Sequence, residues 1–416
     1  MDNFITSIKV NHIFHLENFC IPISENEKKH LIITGKNGSG KTILLNAIVE
    51  HLSQVCNDKM LSFLDLKKNL ESNQAWLQQA ETTGDSKSIA SGQNNVEYYK
   101  NRIEEFYGKV ELSFHDIYSI SKDFFSQNFI IAYYADERKS LFVEPKNPVK
   151  PDLKMKTDLK HNKVDQFLNF MVDCKVQEAL ARNEGKTEDA DYIRQWFVGF
   201  RNILRQIFDD TTLELDFNYK DYSFLIQTRG KSFKFTELSA GYSAALDIVA
   251  DLILKMQSQN NVVRAYEKEG IVLIDEIETH LHLELQRVIL PILTTIFPNI
   301  QFVVTTHSPF ILNSLENAVA FDLEHREPIE DLTDYSYEAL AEGYFGVRTD
   351  SSEIQMRLQR MEELIRSDQL SISDKSVLSL IFYFLKNRVL NWKCIYRILI
   401  RFRKQLLLLL KLNIMI

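Results

Sequence analysis

Apolar and polar residues alternate through IKVNHIF near the start of the chain, the period of a strand with one solvated face, and this predicts an edge strand. HLIITG follows as a short unbroken apolar run ending in glycine, the pattern of a strand buried on both faces. From Lys41 the spacing changes. TILLNAIVEHL places apolar residues three and four apart, which predicts a helix. Residues 53–106 continue polar and helix-leaning, broken by the Gly/Ser-rich TTGDSKSIASG, and read as an inserted helical hairpin. Strand-like runs return at KVELSF and NFIIAYY, before a connector with Pro145, Pro148 and Pro151 that is expected as exposed loop. Residues 161–208 are again helical in pattern, and LELDFNYKDYSFLIQ predicts a hairpin turning near Asp221. Next comes FTELSAGYSAALDIVADLILKM, an amphipathic helix that Ser239 is placed to cap. IVLIDEIE and NIQFVVTTHSPF are two more buried strands.

Strands alternating with helices predict an α/β fold. Neither helical stretch sustains heptads, so a long coiled-coil arm is excluded. With 416 residues and 45 % hydrophobic content the chain can bury a large core.

The net charge of −8 conceals an asymmetry, because residues 375–416 carry nine Lys or Arg and no Asp or Glu, which leaves the remainder strongly acidic. An acidic body argues against general coating of DNA, while a local basic groove could still take phosphates. The last forty residues mix large apolar side chains with bases. No unbroken run there reaches the ~18 residues of a membrane span, so the expectation is no membrane partner. An amphipathic basic helix and text from an altered reading frame are the two other readings of that tail. Cys20, Cys56, Cys174 and Cys394 form neither a CxxC pair nor a disulfide framework, and MDNFITSIKV lacks the features of a secretory signal; a reducing cytoplasm is expected.

Four segments carry chemistry. GKNGSGKT, residues 35–42, matches GxxxxGK[ST] between a strand and a helix, the setting that gives the motif meaning. Gly35, Lys36, Asn37, Gly38, Ser39 and Gly40 would wrap phosphates with backbone N–H groups, Lys41 would reach the β- and γ-phosphates, and Thr42 would offer a hydroxyl to Mg²⁺. A chance glycine-rich turn of this form is expected in roughly one chain in a hundred. Asp275 and Glu276 close a buried strand, Asp275 as the metal-side carboxylate and Glu276 as general base for the attacking water. His307 ends another buried strand, suited to donate to a γ-phosphate or its water. Taken alone, LSAGY at 238–242 is a helix cap. His280 and His282 lack the further Cys or His of a metal site.

In order, GKNGSGKT, LSAGY, LIDEIETHLH and TTHSPF resemble the Walker A, signature, Walker B with D-loop, and switch-histidine motifs of ABC ATPases, and the DE…ETHLH…TTHSPF form resembles RecF-, SMC- and OLD-like members. The resemblance covers about residues 1–325. Ile277 stands where that class usually has proline, and LSAGY replaces the commoner LSGGQ or LSSGE. It implies a mixed β-sheet flanked by helices, with helical insertions and a helical C-terminal region. The implied divisions are core at 1–52, insertion at 53–106, core at 107–144, connector and helices at 145–210, core at 211–325, helical region at 326–370 and basic tail at 371–416. It also implies ATP and Mg²⁺ as cofactors, ATP hydrolysis at the β–γ bond, and a homodimer or higher oligomer in which Ser239 and Gly241 of one copy cap ATP held by the other. Glu137 and Arg138 would correspond to the Q-loop beside the phosphates.

Beyond the core, TDYSYEALAEGYFGVRTDSSEIQMRLQRMEELI is similar to the segment that follows it in PtuA-like proteins of Septu and retron-linked anti-phage systems. That resemblance implies an ATPase scaffold controlling a separate HNH-type nuclease, with a reverse transcriptase and its RNA/DNA as a further candidate partner. Two alternatives stand beside it: a RecF-like, ATP-dependent DNA repair clamp with DNA as partner, and an ATP-binding scaffold that holds a toxin without hydrolysis.

Overall fold

The computed structural model describes residues 3–138, 142–151, 159–257, 266–329 and Met356, Gln359 and Arg360. The chain divides into two units, Met1–Leu340 and Ala341–Ile416. All elements named below lie in the first. The PtuA-like segment and the basic tail fall outside the described residues, apart from the three named above, which are exposed.

The chain opens with β1 (Ile5–Ile13), β2 (Leu16–Pro22) and β3 (His30–Thr34), then α1 (Lys41–Asn57). Helices α2 (Leu66–Thr83) and α3 (Ser86–Tyr107) pack on each other as a hairpin whose break is Gly84, in the left-handed conformation that glycine adopts without cost. Most of the Gly/Ser-rich stretch is therefore helix. Asp85 caps α3, and Gly92 lies against Trp76 and Leu77. There follow β4 (Val110–Phe114), α4 (Ile117–Phe125), β5 (Phe129–Tyr134), α5 (Phe167–Asn183) and α6 (Thr187–Ile207). The hairpin β6 (Glu214–Asn218) and β7 (Ser223–Thr228) gains a third strand, β8 (Lys231–Lys234). The remainder is α7 (Ala240–Met256), β9 (Glu269–Ile274), α8 (Leu283–Ile296), β10 (Ile300–Thr305), α9 (Pro309–Leu312), β11 (Ala318–Asp322) and β12 (Glu327–Ile329).

The central sheet runs β12-β11-β3-β10-β9-β5, parallel except for the antiparallel β12. Strands β3, β5 and β10 are buried at every position, as helices on both faces of a parallel sheet require. Leu31, Ile271, Leu273 and Val303 share one apolar cluster with Leu44, Leu45 and Ile48 of α1 and with the small sheet β2-β1-β4. In that small sheet β1 is the middle strand, paired antiparallel with both β2 and β4, and not the edge strand expected from its alternation. Alternation reports one buried face; it says nothing about whether each edge has a partner. Among the described residues no helix is long and apolar enough to cross a membrane.

Candidate functional site

Because β3, β10, β9 and β5 are parallel neighbours, their carboxyl ends lie side by side, the place where open α/β sheets bind ligands. Four of the segments singled out in the sequence leave from these ends: residues 35–40 from β3, Asp275 and Glu276 from β9, Thr306 and His307 from β10, and Arg138 from the segment after β5. Backbone bonds between strand ends fix their register. Asp275 N–H donates to the Tyr134 carbonyl at 2.8 Å, Thr306 N–H to that of Ile33 at 3.0 Å, and Ile277 N–H to that of Thr305 at 3.2 Å.

The loop between β3 and α1 needs its glycines. Gly35 and Gly40 have φ of 141° and 97°, and a Cβ on Gly40 would stand 2.9 Å from Leu16 Cδ1. Lys41 is buried, and its Nζ donates to the carbonyls of Gly35 at 2.8 Å and Lys36 at 3.1 Å. Burial pushes its pKa down to about 8 against the upward pull of Glu276, Glu278, Asp275 and Asp322. Thr42 is exposed on the first turn of α1. Beside the loop is a cavity of about 290 Å³ lined by Lys36–Ser39, His15, Leu16, Leu323, Glu324 and Arg326.

Asp275 is fully buried. Its Oδ1 accepts from Thr305 Oγ1 at 2.5 Å, while Oδ2 has no hydrogen-bond partner. A buried carboxylate oxygen left unpaired is costly unless something positive meets it, and this fits a divalent cation at Asp275. Glu276 has a left-handed backbone, φ 42°, unusual for glutamate and held by its N–H donating to Thr305 Oγ1 at 2.7 Å. Its carboxylate lies 3.9 Å from His307 Nε2. Burial first, then Lys41, lowers the His307 pKa, so the imidazole is neutral at pH 7.

The structure thus brings Lys41, Asp275, Glu276 and His307 together. Ser239 and Gly241 lie at the start of α7. Ser239 is exposed and occupies the N-cap position, yet its hydroxyl makes no capping hydrogen bond, contrary to the capping role expected of it. Gly241 lies so close to the turn after β9 that a Cβ would stand 2.8 Å from the His280 carbonyl. Tyr242 meets His282 edge-on, 5.3 Å between centroids. The guanidinium of Arg138 donates to the backbone carbonyls of that same turn.

Two contributors went unassigned in the sequence. Thr305 bridges Asp275 and Glu276. Glu278 accepts from the His307 N–H and from Thr306 Oγ1, and burial raises its pKa. Both belong to the motifs ETHLH and TTHSPF, so the signal was present; their partners depend on strand register.

Residues 100–313, just over half the chain, match the family model described as "AAA domain, putative AbiEii toxin, Type IV TA system". The chain belongs to this family. Its ordered motifs and parallel sheet make this AAA domain an ABC-type nucleotide-binding fold of the RecF/SMC/OLD-like class. Part of the AAA-domain chain is similar to the Septu protein PtuA of Bacillus mycoides (strain KBAB4), 41 % identical over 97 residues, 23 % of this chain and 13 % of that protein. The Retron Ec83 probable ATPase of Escherichia coli is 38 % identical over 94 residues, 22 % of this chain and 17 % of that one. The Retron Vc95 probable ATPase of Vibrio cholerae serotype O1 biovar El Tor is 39 % identical over 90 residues, 21 % and 17 % of the two chains. The matched stretch is therefore less than a fifth of each of these relatives. Among solved structures, the SMC head domain from Thermotoga maritima aligns with 76 % of this chain and 94 % of its own at 12 % identity and a TM-score of 0.34, a likeness too distant to add to the fold described above.

Proposed function

We propose that this chain binds ATP between two copies of itself, hydrolyses it, and serves as the ATPase scaffold of an anti-phage defence assembly that controls a separate HNH-type nuclease. The observation that carries the catalytic part is the convergence of Lys41, Asp275 with its unpaired Oδ2, Glu276 and neutral His307 at adjacent strand ends. Similarity to the Septu and retron proteins supports the biological part.

In this reading the backbone of Gly35–Gly40 and the ammonium of Lys41 hold the β- and γ-phosphates. The cavity beside the loop takes the nucleoside. Thr42 and Asp275 hold Mg²⁺, which when bound offsets phosphate charge. Glu276 accepts the proton of the water that attacks the γ-phosphorus as the bond to the β-phosphate oxygen breaks, and ADP and phosphate leave. His307 donates a hydrogen bond to the γ-phosphate. The exposed Ser239 and the N–H groups opening α7 meet the γ-phosphate of a neighbouring copy.

The test pairs Lys41→Ala with Glu276→Gln. The first abolishes nucleotide binding; the second keeps ATP bound and accumulates the dimer, followed by native mass with and without ATP. Identical behaviour of the two variants refutes the mechanism. A nuclease co-purifying in the native complex supports the defence assignment, and a lone ATP-dependent dimer on DNA replaces it with the repair clamp.

A further inference from the structure

Arg138 lies four residues beyond the end of β5 and is buried to 9 % exposure. Its Nη2 donates to three carbonyls of one turn, Glu276 at 2.9 Å, Ile277 at 3.3 Å and Thr279 at 3.4 Å, while Nε and Nη1 are buried without a partner. Burying a guanidinium with two nitrogens unpaired is expensive, and an apolar side chain would fill the same space at less cost. What an apolar residue cannot do is draw three carbonyl oxygens toward one point. That convergence occurs where Glu276 takes its left-handed φ of 42°, a conformation persisting only where the surroundings over-determine it.

The second side of the guanidinium concerns α7. Asp247 on that helix is foremost among the carboxylates that favour the Arg138 charge, ahead of Glu278, Asp275 and Asp136. One turn along, Asp251 accepts from the hydroxyl of Tyr134, the last residue of β5, at 2.6 Å. The helix opening with Ser239 is thus tied to β5, and its Asp247 carboxylate favours the charge of the arginine that grips the Glu276 turn.

We propose that Arg138 is the positioning residue of Glu276: by gathering the Glu276, Ile277 and Thr279 carbonyls it holds the strained backbone that aims the Glu276 carboxylate. The proposal rests on Glu276 acting as the general base. Displacing a catalytic group by about 1 Å costs about 10²-fold in rate, so Arg138→Met lowers kcat by about that factor while the Kd for a fluorescent ATP analogue stays within about twofold. Arg138→Lys, which keeps one cationic donor nitrogen, falls between the wild type and Arg138→Met. The experiment is run on the full chain, with hydrogen exchange of the amides of residues 276–281 measured without nucleotide; the Thr279 N–H, bonded to the Glu276 carbonyl at 2.9 Å, exchanges faster in both variants. Unchanged kcat in Arg138→Lys and Arg138→Met overturns the proposal, as does an equal loss of affinity and kcat with exchange raised across the whole chain. Should Arg138→Met fail to fold, Arg138→Lys carries the same measurements. If the wild-type chain binds ATP without turnover, the ATPase reading falls by itself: faster exchange confined to the turn then supports the hold of Arg138, and unchanged exchange overturns it.

Discussion

Two buried histidines flank the glycine-rich loop of residues 35–40, one on each of its supports, and they set an acid limit on the fold. His30 begins β3; its Nδ1 accepts the Phe302 N–H at 3.0 Å, and burial, with Lys28 nearby, pushes its pKa down to about 4. His51 lies on α1 against the ring of Phe106, its Nδ1 3.2 Å from the Phe106 carbonyl, and burial likewise holds it at about 4. Folded-state values below the ordinary 6.5 mean that the neutral imidazole is what folding favours. Stability is full above about pH 6.5 and drains as pH falls toward 4. Shifts of this size remove about 2 kcal/mol per histidine by pH 5 and about 3 by pH 4. Against a typical total of about 5–15 kcal/mol, the pair is decisive. The assay is urea denaturation at pH 7.5, 6, 5 and 4.5 of the wild type, His30→Asn, His51→Asn and the double variant; asparagine retains an acceptor for Phe302 and a donor for Phe106 without titrating. Each single variant is expected to lose about 2 kcal/mol less than the wild type between pH 7.5 and 5. Parallel curves for all four proteins would refute the reasoning and assign the acid loss to other groups.

Thr305→Val removes the hydroxyl that donates to Asp275 and accepts from the Glu276 N–H; leaving these buried groups unpaired costs about 1–3 kcal/mol each, read as a lowered melting temperature together with a fall in ATP turnover, and an unshifted melt contradicts it. Gly241→Ala places a Cβ 2.8 Å from the His280 carbonyl, so the start of α7 and the turn must separate; turnover drops, and turnover equal to that of the wild type counts against the separation.

Elements with an unbroken apolar run or a sustained helical period were legible in the sequence. The buried strands β3, β9 and β10 and the helices α1 and α7 appear where apolar spacing puts them. Short elements without an unbroken apolar run were harder: β8, β12 and α4 show no such run, and two of them are fixed by a neighbour, β8 by β7 and β12 by β11. The middle position of β1 escaped for the related reason that pairing is a property of two strands. At the site, Lys41, Asp275, Glu276 and His307 were marked by spacing around glycines and strand ends. Arg138, Thr305 and Glu278 act through backbone carbonyls and amides brought near by strand register, and no local pattern encodes that proximity.

The α2–α3 hairpin has a mechanical consequence. Its base meets the core through a small apolar knuckle of Val55, Leu61, Phe63, Leu66 and Phe106. Val55 lies near the end of α1 opposite Lys41. At 1.5 Å per residue, the hairpin is an arm of about 30 Å and α1 a rod of about 25 Å. A force applied at the tip near Gly84 is levered about that knuckle and delivered along a single rigid rod whose other end is Lys41.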